Sequence, residues 1–235
     1  MSPPMVVCAA VFGGASSAFL PRIAHRLAVP AGARPRSACA DCAAPFPQGQ
    51  DGWVRAGPAC RCAACPWRTV AAGAAASGLL GATVGSTPLL PILLIAVVLG
   101  VLLAAIDVRC LRLPDPLVAS LAVLTAVPLI LLAGPGQLVR AALAAGVSFT
   151  AYAMVAILPR GGLGFGDVKL GAVLGFVLGF VGWPALAAGL VVPHLINGPI
   201  AVFLLVRGKV GRRSAVPFGP ALLAGALLGV ALSFA

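Results

Sequence analysis

From Val70 to the C-terminus the chain is a succession of apolar runs, each close to the length of a membrane-crossing helix. The runs are 70–87, 88–106, 116–133, 138–158, 168–182, 184–206 and 217–234, and an eighth, shorter one extends from about Met5 to Leu20. A helix needs about 20 apolar residues to cross a hydrocarbon core of about 30 Å. A soluble domain of 235 residues, 61% of them hydrophobic, has too few polar side chains to cover its own surface. Strand-like alternation is absent, and a spanning segment must satisfy its backbone internally. The predicted class is therefore an all-α polytopic membrane protein of about eight transmembrane helices in a lipid bilayer.

A net charge of +11 raises nucleic acid as a partner, but the cations are spread in short stretches between apolar runs, and aromatics for stacking on bases are scarce. No nucleic-acid partner is expected. The breaks at Ser86-Thr87-Pro88, Gly134-Pro135-Gly136-Gln137 and Gly182-Trp183-Pro184 carry no charge. The breaks between them hold Arg109 and Arg112, then Arg160 and Lys169, then Arg207, Lys209, Arg212 and Arg213. This alternation is the positive-inside pattern of an up-and-down bundle, with the basic loops in the cytoplasm. Arg140 is the one cation expected on the opposite side, where it snorkels to the headgroups. The first run lacks the basic leading region of a signal peptide and is followed by Arg22 and Arg26, so it reads as a membrane anchor with its N-terminus outside.

Between the first run and the rest, the composition changes. Residues 21–69 carry Arg22, Arg26, Arg34, Arg36, Arg55, Arg61 and Arg68, many prolines, and five of the seven cysteines. The expected organisation is a first transmembrane helix (1–20), a cysteine-rich cytoplasmic loop (21–69) and a seven-helix membrane domain (70–235). The loop is too short to own a hydrophobic core and calls for a staple. Cys39-x-x-Cys42 and Cys62-x-x-Cys65 stand 19 residues apart (43–61), within the spacing of a four-thiolate zinc site. A structural Zn2+ on Cys39, Cys42, Cys62 and Cys65 would fold the loop. Cys60 competes with Cys62 for a place in that set. A cytoplasmic loop disfavours disulfides. Cys8 and Cys110 read as membrane packing, and His25 and His194 as structural residues without partners at ligand spacing.

The chain has five acidic residues, all Asp, and two of them stand at ends of apolar runs. Asp107 follows Ala104-Ala105-Ile106 at a helix C-terminus, where both burial and the helix dipole oppose an anion. An interfacial ion pair with Arg109 or Arg112 is its structural alternative. Asp167 lies in Gly162-Leu163-Gly164-Phe165-Gly166-Asp167-Val168-Lys169-Leu170, at the head of a run, where an N-cap is the alternative. Asp115, before Pro116, reads as a helix cap. The charge-derived topology puts Asp107 and Asp167 on the cytoplasmic side. Two carboxylates sharing one proton form an aspartyl hydrolytic site, in which one is the base and the other polarises the scissile carbonyl. Gly164 and Gly166 would let a substrate backbone approach closely, and Lys169 supports the local fold. A transporter or channel handling protons or cations on the same Asp residues is the other class of reading, although carriers place such charges at mid-membrane on broken helices.

These stretches resemble a known family. Gly164-Phe165-Gly166-Asp167-Val168-Lys169-Leu170 is similar to the signature of the GxGD membrane aspartyl proteases, specifically the type IV prepilin peptidases. Asp107-Val108-Arg109 with Leu113-Pro114-Asp115 resembles their first aspartate motif, and Val216-Pro217-Phe218-Gly219-Pro220-Ala221-Leu222 their last-helix motif. The resemblance implies removal of the leader from prepilins or pseudopilins at the cytoplasmic face of the bacterial inner membrane, with Asp107 and Asp167 as the catalytic pair. Bifunctional members carry a similar cysteine arrangement and N-methylate the product with S-adenosylmethionine. Here Pro21 stands where the family usually has Asn and Ala71 where a Glu is expected, and these departures count against methyl transfer.

Overall fold

The computed structural model describes residues 3–30, 32–40, 42–55, 67–158, 163–207 and 217–235. Among them the regular structure is helical, with only an isolated bridge between Ala38 and Pro45 to represent extended pairing. The chain divides into two compact units, Met1–Pro114 and Asp115–Ala235.

The first unit holds α1 (Pro3–Ser17), α2 (Leu20–Leu27), α3 (Trp67–Thr83) and α4 (Leu89–Cys110). Small residues bring α1 and α3 together reciprocally: a side chain at Gly13 would run into Ser77, and one at Gly73 into Ser17. Such contacts let helix backbones approach closely within an apolar solvent that gives no hydrophobic drive for association. A bend of 43° separates α1 from α2, where Pro21 occupies the first turn and needs no hydrogen-bond donor. The basic side of α2 then organises the loop beyond it. Arg22 donates from Nη1 to the carbonyl of Asp51 (2.7 Å), and Arg26 to that of Gly52 (2.9 Å), while its guanidinium lies 4.1 Å over the Trp53 ring. Read from sequence as markers of topology, these arginines are also what ties down the tight turn Gln50–Gly52.

The second unit holds α5 (Asp115–Leu132), α6 (Pro135–Ile157), α7 (Phe165–Val181), α8 (Trp183–Val206) and α9 (Gly219–Phe234). Helix α7 is its centre, packing against α5, α6, α8 and α9. Its glycines face α6 at one-turn intervals: Gly171 against Tyr152, Gly175 against Ser148 and Gly179 against Ala144. Helix α8 continues through two prolines, Pro193 and Pro199, and the ring of Pro193 packs against Gly225 of α9. Arg140 does not simply reach for headgroups as expected. It donates to the carbonyls of Gly179 (2.7 Å) and Phe180 (2.8 Å), the last turn of α7, where carbonyls lack helical partners and the dipole favours a cation.

The faces of α6 are inverted relative to a soluble helix. Ala141, Ala144, Ser148 and Tyr152 are buried, whereas Leu143, Val147, Met154 and Ile157 are exposed. Large apolar side chains outside and small or polar ones inside are what a hydrocarbon solvent selects. Each of the eight predicted apolar runs does fold as a helix. However, among the described residues only α4, α5, α6 and α8 are long and apolar enough to cross a membrane, five spans if the bent α1–α2 pair is counted as one. The remainder are cut short: α3 and α7 have 17 residues each and α9 has 16. At about 1.5 Å per residue, such lengths fall a few ångströms short of the core thickness.

Candidate active site

Helix α4 continues through Asp107 to Cys110 rather than stopping at Ile106, so Asp107 occupies its last turn and is 3% exposed. The turn closes on Leu111, which takes a left-handed conformation (φ 51°) and returns its N–H to the Asp107 carbonyl at 2.7 Å. A branched residue in that conformation costs about 1–2 kcal/mol, and the strain falls directly beside a buried carboxylate. The neighbouring arginines are engaged elsewhere in the same unit. Arg109 lies 2.7 Å from Nδ1 of His25, and Arg112 donates to the carbonyl of Val29 at 3.3 Å. His25 is thus no idle loop residue: it sits in α2, buried, edge-on to Phe46.

Asp167 is not the N-cap of α7. Gly164 takes that position with extended backbone (φ −73°, ψ 148°), and the N–H of Asp167 closes the first turn on the Gly164 carbonyl at 3.0 Å. The carboxylate is therefore on the third helical residue, 9% exposed, at the end where the helix dipole favours negative charge. A Cβ at Gly164 would stand 3.4 Å from Asp167 Oδ2, so glycine keeps the approach to this oxygen clear. Gly166 is the next residue but one in the same turn; Gly162 lies outside the described residues. Lys169 bridges Asp115 at 2.8 Å, with both side chains substantially exposed. Asp115 is the first helical residue of α5 rather than the cap before it, and its carboxylate accepts from Lys169.

Sequence reasoning passed over Tyr152. It is the chain's one tyrosine, 2% exposed, with its ring laid against Gly171, one turn beyond Asp167 on the same face of α7. The rings of His194 (6.1 Å, parallel) and Phe218 (6.1 Å, edge-on) fix its orientation. Phe218 comes from the C-terminal motif. The hydroxyls of Tyr152 and of Ser148, one turn earlier on α6, are buried without a hydrogen-bond partner in the protein. A single phenol and a serine four residues apart in an apolar run were the available signal.

The structure divides the two aspartates between its units: Asp107 belongs to the first, Asp167 to the second. In the cysteine loop, Cys39 is buried and Cys42 exposed, on a turn in which the Cys39 carbonyl accepts from Ala43 (3.1 Å) and the Cys39 N–H returns to Ala44 (2.9 Å). Ala43 is left-handed there (φ 56°). Cys60, Cys62 and Cys65 lie outside the described residues, and among the described residues no three metal-ligating side chains cluster.

Residues 93–206 match the model of the type IV leader peptidase family. The prepilin leader peptidase/N-methyltransferase of Bacillus subtilis (strain 168) is 38% identical to this chain over 86 residues, 37% of this chain and 34% of that protein. The alignment thus spans about a third of the relative's length. No solved structure matches.

Proposed function

We propose, from the match of residues 93–206 to the type IV leader peptidase family model, that the chain is a prepilin leader peptidase working by aspartyl chemistry. The observation that carries this reading is that the matched segment contains both Asp107 and Asp167, each buried and each in a terminal turn of its helix. A buried carboxylate in an apolar helix is energetically costly and has little structural reason to be there.

In the proposed reaction the two carboxylates share one proton. The ionised one takes a proton from water as the oxygen attacks the scissile carbonyl carbon, while the protonated one hydrogen-bonds the carbonyl oxygen. The resulting tetrahedral species collapses as a proton passes to the leaving amine nitrogen. Gly164 and Gly166 leave the backbone at Asp167 open to an extended substrate, and Lys169 supports the fold through Asp115. The substrates are prepilins or pseudopilins, cut at the cytoplasmic face of the inner membrane by a bundle of about eight spans, the shorter helices included. The loop of residues 21–69 is held by a structural Zn2+ on Cys39, Cys42, Cys62 and Cys65. S-adenosylmethionine-dependent methylation is left out of the proposal, since Pro21 and Ala71 lack the polar groups that the resemblance calls for.

The test is leader cleavage of a co-expressed prepilin by wild type, Asp107→Asn and Asp167→Asn, with membrane abundance measured for each. Asn keeps size and hydrogen bonding but cannot ionise. Loss of cleavage in both at normal abundance is expected. Near wild-type cleavage by either variant removes the two-carboxylate mechanism.

A further inference from the structure

The middle of α8 carries polar groups that the packing of its unit leaves unused. His194 stands near the centre of the apolar span Trp183–Phe203 and is exposed. Its Nδ1 lies 2.8 Å from the Leu190 carbonyl. A carbonyl only accepts, so Nδ1 is the donor, and in the neutral ring Nε2 is left as an acceptor. Tyr152, parallel on one side, and Phe218, edge-on at 5.4 Å, hold the imidazole in place. Asn197 follows three residues later on the same face, and Pro199 has no N–H for the Leu195 carbonyl four residues before it. Among the described residues, neither Nε2 of His194 nor the Asn197 amide meets a hydrogen-bond partner. A Cβ at Gly198, between them and Pro199, would find nothing within 4 Å. Hydrogen-bonding groups turned outward at mid-span are costly and mark a site whose partner comes from elsewhere.

The register of α7 and α8 sets these groups at the height of Asp167. Asp167, Leu174 and Leu178 share one face of α7 by helical spacing, and on that face Leu178 packs against Gly189 of α8. The two helices run in opposite directions across the break at Gly182: Leu178 meets Gly189, while Gly171 and His194 share Tyr152. From the first contact, the 11 residues back to Asp167 (178 less 167) lead 11 residues on to Ile200 (189 plus 11). From the second, four residues back to Asp167 lead four on to Gly198. The two counts differ by two residues, about 3 Å of helix rise.

We propose that His194, the Leu195 carbonyl and Asn197 form a subsite on α8 that receives the unwound backbone of a bound peptide, accepting from its N–H groups beside Gly198 and laying the segment to be cut at the height of Asp167. The proposal rests on the aspartyl reading above and deepens it. A peptide bond inside a helix is already hydrogen-bonded and shielded, so a peptidase must hold its substrate extended. Extended N–H groups within a membrane need acceptors, since lipid supplies none. Side-by-side pairing with a strand-like peptide is the general form of such recognition, and proline frees a helix carbonyl for it.

The experiment compares wild type, Gly198→Leu, His194→Phe, Gly146→Leu and Asp167→Asn, purified in detergent, for steady-state cleavage of a prepilin and for thermal unfolding. Gly198→Leu adds a side chain where the protein itself has open space, so the unfolding midpoint should hold. The same side chain would fill the seat of the peptide, and KM should rise about tenfold or more. Gly146, on α6, is equally open, and its leucine variant should cleave as wild type does. His194→Phe keeps the ring between Tyr152 and Phe218 and removes the acceptor; KM should rise about three- to tenfold, as for one lost hydrogen bond. Wild-type KM in Gly198→Leu beside an inactive Asp167→Asn overturns this inference and leaves the aspartyl reading standing. A lowered kcat at unchanged KM overturns it as well, because a seat for the backbone acts in binding. Cleavage by Asp167→Asn brings down both readings. Should Gly198→Leu accumulate poorly, His194→Phe decides, and an unchanged KM there overturns the subsite.

Discussion

At Gly179 the close packing of α6 on α7 leaves no room for a single methyl group. A Cβ there would overlap that of Ala144 and stand 3.0 Å from both the Ala141 Cα and the Arg140 carbonyl, against an ordinary contact of 3.4 Å or more. Two of these three obstacles are backbone, so no rotamer change relieves them. The Ala144 methyl is as rigid as the backbone, so the helices must part at that level, and the same displacement pulls on the bonds from Arg140 to the end of α7. Overpacking of this kind costs about 1–3 kcal/mol, while replacing a helical glycine by alanine returns up to about 1 kcal/mol. Gly179→Ala should therefore destabilise by about 1–2 kcal/mol, or about 2–4 °C in unfolding midpoint per kcal/mol for a chain of this size. Gly146→Ala is the control, because nothing lies within 4 Å of its Cβ; only the propensity gain remains, and the midpoint should hold or rise. The assay is thermal unfolding of the three proteins in one detergent. If Gly179→Ala unfolds at or above wild type, or if both variants fall equally, close backbone approach is not what holds α6 to α7.

Arg140→Ala removes charged donors from two carbonyls at the end of α7 and should cost about 2–3 kcal/mol by the same unfolding measurement; Arg140→Lys should recover less than half, lacking the planar fork. Lys169→Ala breaks an ion pair exposed on both sides, so stability should change by less than about 1 kcal/mol and leader cleavage by less than about twofold. A large loss of cleavage would place Lys169 in the chemistry instead. Purified wild type should contain about one zinc per chain, lost in Cys39→Ser and retained in Cys8→Ser; wild type free of zinc after metal-replete purification would refute the thiolate site.

The helices were legible because apolar runs of this length leave few alternatives, and all eight runs fold as helices. Their interior faces were not legible. In α4, α5 and α7 nearly every position is apolar, so no periodicity separates the side that meets protein from the side that meets lipid. Only composition within the run betrays it: Gly171, Gly175 and Gly179 on α7, or Ala141, Ala144 and Ser148 on α6, are small because they face one another. Charges were read too simply for the same reason. Arg22, Arg26 and Arg140 obey the positive-inside and snorkelling rules only in part, because each also satisfies backbone carbonyls in its own unit. No pattern in sequence announces a carbonyl partner tens of residues away.

The same reasoning explains why Asp167 rides on a short helix. Helix α7 is surrounded by α5, α6, α8 and α9 and buries ten of its 17 residues. A helix so enclosed need not reach both surfaces of the bilayer, since its neighbours, not lipid, satisfy its flanks. At 17 residues it extends about 25 Å, against a core of about 30 Å. Its first turn can thus lie below the level of the surrounding helix ends and still have protein around it. A carboxylate on the third residue of such a helix is withdrawn from bulk solvent yet held at the end whose dipole favours an anion. Inserting one apolar turn between Asp167 and Gly171 would lift Asp167 toward water while keeping Gly171, Gly175 and Gly179 against α6, and prepilin cleavage should be lost at normal membrane abundance. The short length of α7 is therefore read as a means of setting the depth of Asp167, not as a truncated span.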